Sequence, residues 1–78
     1  MKREPVDSEV LRSIGYDPDT GVLELEFDGG TVYRYFDVPA RLYAGLMTAR
    51  SHGEFFSDYI RNAGFDYLQV SPPPGHDD

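Results

Sequence analysis

Val22-Leu23-Glu24-Leu25-Glu26-Phe27-Asp28-Gly29-Gly30-Thr31-Val32-Tyr33-Arg34-Tyr35-Phe36 is the stretch that decides how this chain folds. Leu23, Leu25 and Phe27 alternate with Glu24 and Glu26, the period of a half-buried strand. Asp28-Gly29-Gly30 makes a hairpin turn. Thr31 to Phe36 is then the returning strand of a hairpin. Loop length sets its register. A two-residue loop would place Tyr33 opposite Glu26 and Tyr35 opposite Glu24. A three-residue loop, with Gly30 left-handed and bulged, pairs Leu25 with Tyr33, Leu23 with Tyr35 and Glu24 with Arg34. The second register gathers the apolar residues on one face and pairs the charges on the other, so it is preferred.

Upstream, Asp17-Pro18-Asp19-Thr20-Gly21 is rich in turn formers, and Val10 to Tyr16 reads as a first strand. Downstream the period becomes helical. Pro39 suits a first turn, with Asp37 at the positive helix end. Leu42, Tyr43, Leu46 and Met47 then share one side, and this helix should stop near Arg50. Ser51-His52-Gly53-Glu54 matches the capping box, so a second helix starts there. Phe55, Phe56, Tyr59 and Ile60 form its apolar side, Arg61 falls in its last turn, and Gly64 suits the position past its end. Phe65 to Val70 is a candidate short last strand. The expected class is α+β: a three-stranded antiparallel meander followed by two short helices packed on one face.

The 78 residues are one domain by size. Residues 1–7 are polar and expected to be loose. Residues 8–70 form the domain, and the Pro-rich, acidic segment 71–78 reads as a flexible tail. Hydrophobic residues make up 40%, including six Tyr and five Phe, which is too apolar for a disordered chain. The absence of Cys excludes disulfides and thiolate metal sites, and fits a reducing cytoplasm. No apolar run follows Met1-Lys2-Arg3, and none approaches the roughly 18 residues of a membrane span. The formal charge of −7 opposes binding to duplex DNA.

Ile14-Gly15-Tyr16-Asp17, Leu23 to Phe27, Gly30-Thr31-Val32-Tyr33-Arg34-Tyr35, Val38-Pro39, Ala49-Arg50-Ser51-His52-Gly53, Phe56 and Ile60-Arg61 occur in that order. This succession resembles the KTSC domain, with the Tyr-x-Tyr at Tyr33 and Tyr35 as the family hallmark. The family takes its name from an extension at the C-terminus of some lysyl-tRNA synthetases and also occurs as small stand-alone proteins. The resemblance covers about residues 8 to 62 and implies, through the synthetase context, a link to RNA.

Three groups of residues are candidates for a ligand site. Tyr33 and Tyr35 could stack bases, as strand aromatics do in RNA-binding sheets, or lie under the helices as core; the preferred register favours core. Arg34, Arg41, Arg50 and Arg61 could gather into a phosphate-binding patch or make ordinary ion pairs, Arg34 with Glu24 or Glu26 and Arg61 with Asp58. Ser51, His52 and Gly53 could offer helix N–H groups to an anion or serve only as a cap. Catalysis has little support: Ser51 and His52 are sequence neighbours, and His76 lies in the tail. Asp17-x-Asp19 lacks the glycine and glutamate of a calcium loop, and no His pair has metal-ligand spacing. No metal or cofactor is therefore expected. The sequence reads as a non-catalytic binding module for single-stranded RNA or a nucleotide, at Tyr33, Arg34, Tyr35, Arg50, Ser51, His52, Gly53 and Arg61. The alternative is a module for a protein partner or for self-assembly, since a short aromatic-rich domain can complete its core by oligomerising.

Overall fold

A computed structural model of the chain describes residues 1–71. The Asp28-Gly29-Gly30 turn is three residues long. The Gly30 N–H donates to the Phe27 carbonyl (2.9 Å) and the Phe27 N–H to the Thr31 carbonyl (2.8 Å). Both glycines have positive φ, 97° at Gly29 and 93° at Gly30, so two left-handed residues build the turn where one was expected. The strands on either side, β3 (Val22–Phe27) and β4 (Val32–Tyr35), pair as Leu25 with Tyr33, Glu24 with Arg34 and Leu23 with Tyr35. This is the expected register.

β3 and β4 sit inside a five-stranded antiparallel sheet whose strands lie side by side in chain order. β2 (Leu11–Asp17) pairs with β3, and β5 (Tyr67–Ser71) pairs with β4. Helices α1 (Ala40–Thr48) and α2 (His52–Tyr59) lie between β4 and β5 in the chain. Their side chains Leu46 and Phe56, with Ile60 just beyond, meet Leu11, Ile14, Leu23, Leu25, Tyr35 and Val38 in one buried core. The class is α+β, with the last strand present. The segment 72–78, read as a tail, lies outside the described residues, whereas Ser71 ends β5.

The N-terminal part of the sheet departs from the sequence reading in two ways. Leu11 and Ile14 are both fully buried although three apart, which strict alternation forbids. A bulge resolves this: Leu11 faces Phe27 and Ser13 faces Glu26, leaving Arg12 as the extra residue. The second departure concerns residues 1–7. Glu4–Pro5 forms β1, with Glu4 opposite Ile14 and Pro5 opposite Ser13. The Val6 N–H donates to the Arg12 carbonyl at 2.9 Å. Arg3 reaches over the sheet face opposite the helices, donating from Nε to Ser13 Oγ (2.9 Å) and pairing with Glu24.

Gly15 makes this N-terminal approach sterically possible. A Cβ there would stand 2.7 Å from the Lys2 carbonyl oxygen and 3.0 Å from Arg3 Cγ. Backbone cannot yield as a side-chain tip can. Gly15→Ala is therefore expected to lift the first residues off the sheet, costing about 1–3 kcal/mol as overpacking does. Amide exchange checks it: Val6 should lose protection while Leu25 keeps it.

α2 ends at Tyr59, so Arg61 opens a short 3₁₀ turn (Arg61–Ala63) and not the last turn of the helix. Gly64 closes that turn with φ 88°, the left-handed conformation expected of it. Among the described residues no helix is long and apolar enough to cross a membrane.

Candidate ligand-binding cleft

β4 alternates, so Tyr33 and Tyr35 point to the helix side and Arg34 to the other. Tyr35 is 6% exposed and belongs to the core; Tyr33 is half-buried at its margin. β5 brings Tyr67 opposite Tyr35. Their rings stack at 5.2 Å and 26°, and Tyr33 meets Tyr67 edge to face at 5.8 Å. Phe56 of α2 packs edge to face on Tyr35 (5.5 Å) and on Phe27 (5.3 Å). These rings line a cleft of about 460 Å³ whose remaining lining is Arg61 and Asn62.

Charge in the cleft comes from Arg61. Burial pushes the Tyr35 hydroxyl above its ordinary pKa, the neighbouring Tyr67 and Tyr33 add to this, and the Arg61 guanidinium opposes it. Arg61 is exposed and makes no ion pair among the described residues; the expected partnership with Asp58 is not one of the salt bridges formed there. Sequence reasoning missed Tyr67 as a site residue. Its signal was weak, since it lies in a strand that alternation alone barely marks.

The other candidates lie elsewhere. Arg34 Nε donates to Glu24 Oε1 at 2.7 Å, the ion pair weighed as its ordinary role. Glu24 is 4% exposed and also takes Arg3, while Ser13 Oγ donates to Glu26 Oε1 at 2.8 Å. Arg3, Ser13, Glu24, Glu26 and Arg34 thus form a connected polar network on the opposite sheet face. Burial alone would raise the Glu24 pKa, but hydrogen bonds from Arg34 and Arg3 and their positive charges outweigh it and hold the carboxyl below its ordinary value.

Arg50 and the N-cap Ser51 precede α2 and His52 and Gly53 begin it, about 12 Å of helix away from Arg61. Ser51 Oγ accepts the Glu54 N–H at 3.2 Å, the serine half of the capping box. His52 Nδ1 stands 2.7 Å from the Leu46 carbonyl oxygen, which only accepts, so the proton is on Nδ1. A Cβ at Gly53 would stand 3.1 Å from the side chain of Val10, the residue before β2, so close packing against Val10 accounts for this glycine. The groove beside these residues also carries Asp7, Glu9, Glu54 and Asp58, four carboxylates that oppose an anion. The grouping of Arg50 to Gly53 with the tyrosines and Arg61 on one surface is therefore corrected: two separate surfaces hold them. Arg41 is exposed on α1 and lines neither surface. Among the described residues no cluster of three or more His, Cys, Asp or Glu could hold a metal ion.

A plain antiparallel meander with both helices on one face, and an aromatic cleft at the β4–β5 end, defines a small α+β domain of a distinct type. The chain belongs to the KTSC domain family, whose family model matches residues 7–65. A crystal structure of a KTSC domain protein from Yersinia pestis superposes with a TM-score of 0.83 at 39% identity, covering 90% of this chain and 97% of that one. A protein of Stutzerimonas stutzeri is 39% identical over 70 residues, which is 90% of this chain and 99% of that protein. A lysine–tRNA ligase of Nostoc sp. is 37% identical over 65 residues, 83% of this chain but 11% of the ligase.

Proposed function

We propose that this domain is a non-catalytic binding module that takes a nucleotide, or a base of single-stranded RNA, in the cleft between Tyr33, Tyr67 and Arg61. The observation that carries this reading is an exposed aromatic ring beside a guanidinium that makes no ion pair among the described residues, in one cleft. A base can stack on the ring and a phosphate can take the guanidinium. The similarity to a stretch of lysine–tRNA ligases supports the RNA arm, because the name of those proteins states that they act on tRNA. The non-catalytic part is supported by Ser51 and His52: the hydroxyl caps α2 and the imidazole holds the α1 terminus. A cytoplasmic setting, where nucleotides and RNA are abundant, belongs to the same reading.

An amide NMR titration with short single-stranded RNAs and free nucleotides tests it. Shifts should cluster at Tyr33, Arg61, Asn62 and Tyr67. Arg61→Ala should weaken binding roughly ten- to a hundredfold, the worth of a charge-assisted hydrogen bond. Spectra unchanged at millimolar ligand would sink the proposal.

A second reading has its own observation. β5 is an edge strand with Tyr67, Leu68 and Val70 exposed and no charged residue in Tyr67–Ser71. Edges without charge or Pro recruit another strand, whereas β1 at the far edge carries both Glu4 and Pro5. A dimer in light scattering would favour this protein-interaction reading.

A further inference from the structure

Counting stacking faces and cations in the cleft narrows its ligand. Tyr35 and Phe56 are 6% and 5% exposed and form its floor, with no face left for a base. Tyr33 is half-buried and meets both Phe27 and Tyr67 edge to face, at 5.7 and 5.8 Å. Tyr67 is 61% exposed with one face on Tyr35, and it is the most exposed ring among the described residues lining the cleft, so it offers the stacking surface there. Arg61 is the one cation among the described lining residues. Arg34 is turned to the far side of the sheet by strand alternation, and Arg12 at the neighbouring bulge pairs with Asp28 at 3.5 Å. Leaving the cleft along the chain, Tyr67 is preceded by exposed Asp66. A second phosphate would therefore meet a carboxylate on a chain of net charge −7.

Resting on the nucleotide reading above, we infer that the cleft takes one nucleotide unit, its base on the open face of Tyr67 and a terminal phosphate on Arg61. The ligand class is a nucleoside monophosphate, free or at the end of a strand, and not a run of RNA backbone. A single terminal phosphate presents several oxygens to one guanidinium, which can engage two of them in parallel. A strand threading the cleft would need a row of cations that the described residues do not place there.

The test measures binding of adenosine, adenosine monophosphate and an octa-adenylate with and without a 5′-phosphate, at 50 and 200 mM salt, by amide shifts. One phosphate contact predicts that affinity falls at most about threefold across this salt range; four contacts predict about fiftyfold. The expected result is the threefold limit for the monophosphate, tighter binding of it than of adenosine, and loss of that advantage in Arg61→Gln. Equal behaviour of the 5′-phosphorylated octamer would assign the unit to a strand end, and binding of the free monophosphate alone would assign it to the nucleotide pool; both support the inference. An octamer whose affinity drops about fiftyfold would overturn the one-unit inference while leaving the nucleotide-binding proposal standing. The same holds if Arg61→Gln keeps the preference for the monophosphate. No shift with any of the four ligands would remove both.

Discussion

Phe56→Ala is expected to cost this domain about 3–5 kcal/mol, the range for truncating a buried aromatic. A chain of this size has roughly 4–12 kcal/mol in total, at about 0.05–0.15 kcal/mol per residue, so one substitution removes a large share. Phe56 is 5% exposed and is the α2 side chain driven into the sheet. Its ring meets Phe27 of β3 and Tyr35 of β4 edge to face, at 71° and 76°, so it joins the helix layer to both strands of the central hairpin. Truncation would leave a cavity between layers, and neither helix is long enough to be stable without that packing. Urea unfolding followed by circular dichroism gives the loss directly. Phe56→Leu should cost less, because it fills part of the space. An unchanged midpoint for Phe56→Ala would show that Leu46 and Ile60 hold the layers together without it.

Glu24→Gln is expected to lower stability at neutral pH by about 1–3 kcal/mol, since a buried carboxylate loses charge-assisted hydrogen bonds from two arginines. The lower half of that range is expected, because the Arg3 and Arg34 side chains are 29% and 43% exposed and water screens them. The effect has a pH signature. The Glu24 carboxyl titrates below its ordinary value in the folded state, so folding favours the ionised form. That stabilisation is fully present above the ordinary value, about pH 4.3, and is lost as pH falls through the lower folded value. The stability gap between wild type and Glu24→Gln should therefore be constant above about pH 5 and close on further acidification. Denaturant melts from pH 3 to 7 measure it. A gap that persists to the lowest pH would mean that the glutamine acts through packing and not through charge.

The two substitutions probe opposite faces of the same hairpin, and those faces were not equally legible. Loop length and alternation were enough to pair Glu24 with Arg34 and Leu25 with Tyr33, because the side-chain period of a strand leaves only two registers to choose between. Alternation also places Arg34 on the sheet face opposite the tyrosines. Arg3 carried no such signal. Its partner Glu24 lies 21 positions away, and β1 is two residues long, too short for any period.

Local sequence determined the class, the hairpin register, the Ser51 cap and the family, because each rests on interactions within a few residues or on a succession of short motifs. The tertiary structure alone decided that Tyr67 faces water and that Arg61, which makes no ion pair among the described residues, stands beside it. Tyr35 is core and Tyr67 is exposed because one lies inside the sheet and the other on its edge strand. Arg61 faces the cleft because α2 stops at Tyr59 and a 3₁₀ turn redirects the chain. Exposure and charge pairing depend on which distant segments pack together, and side-chain periodicity carries no record of that choice.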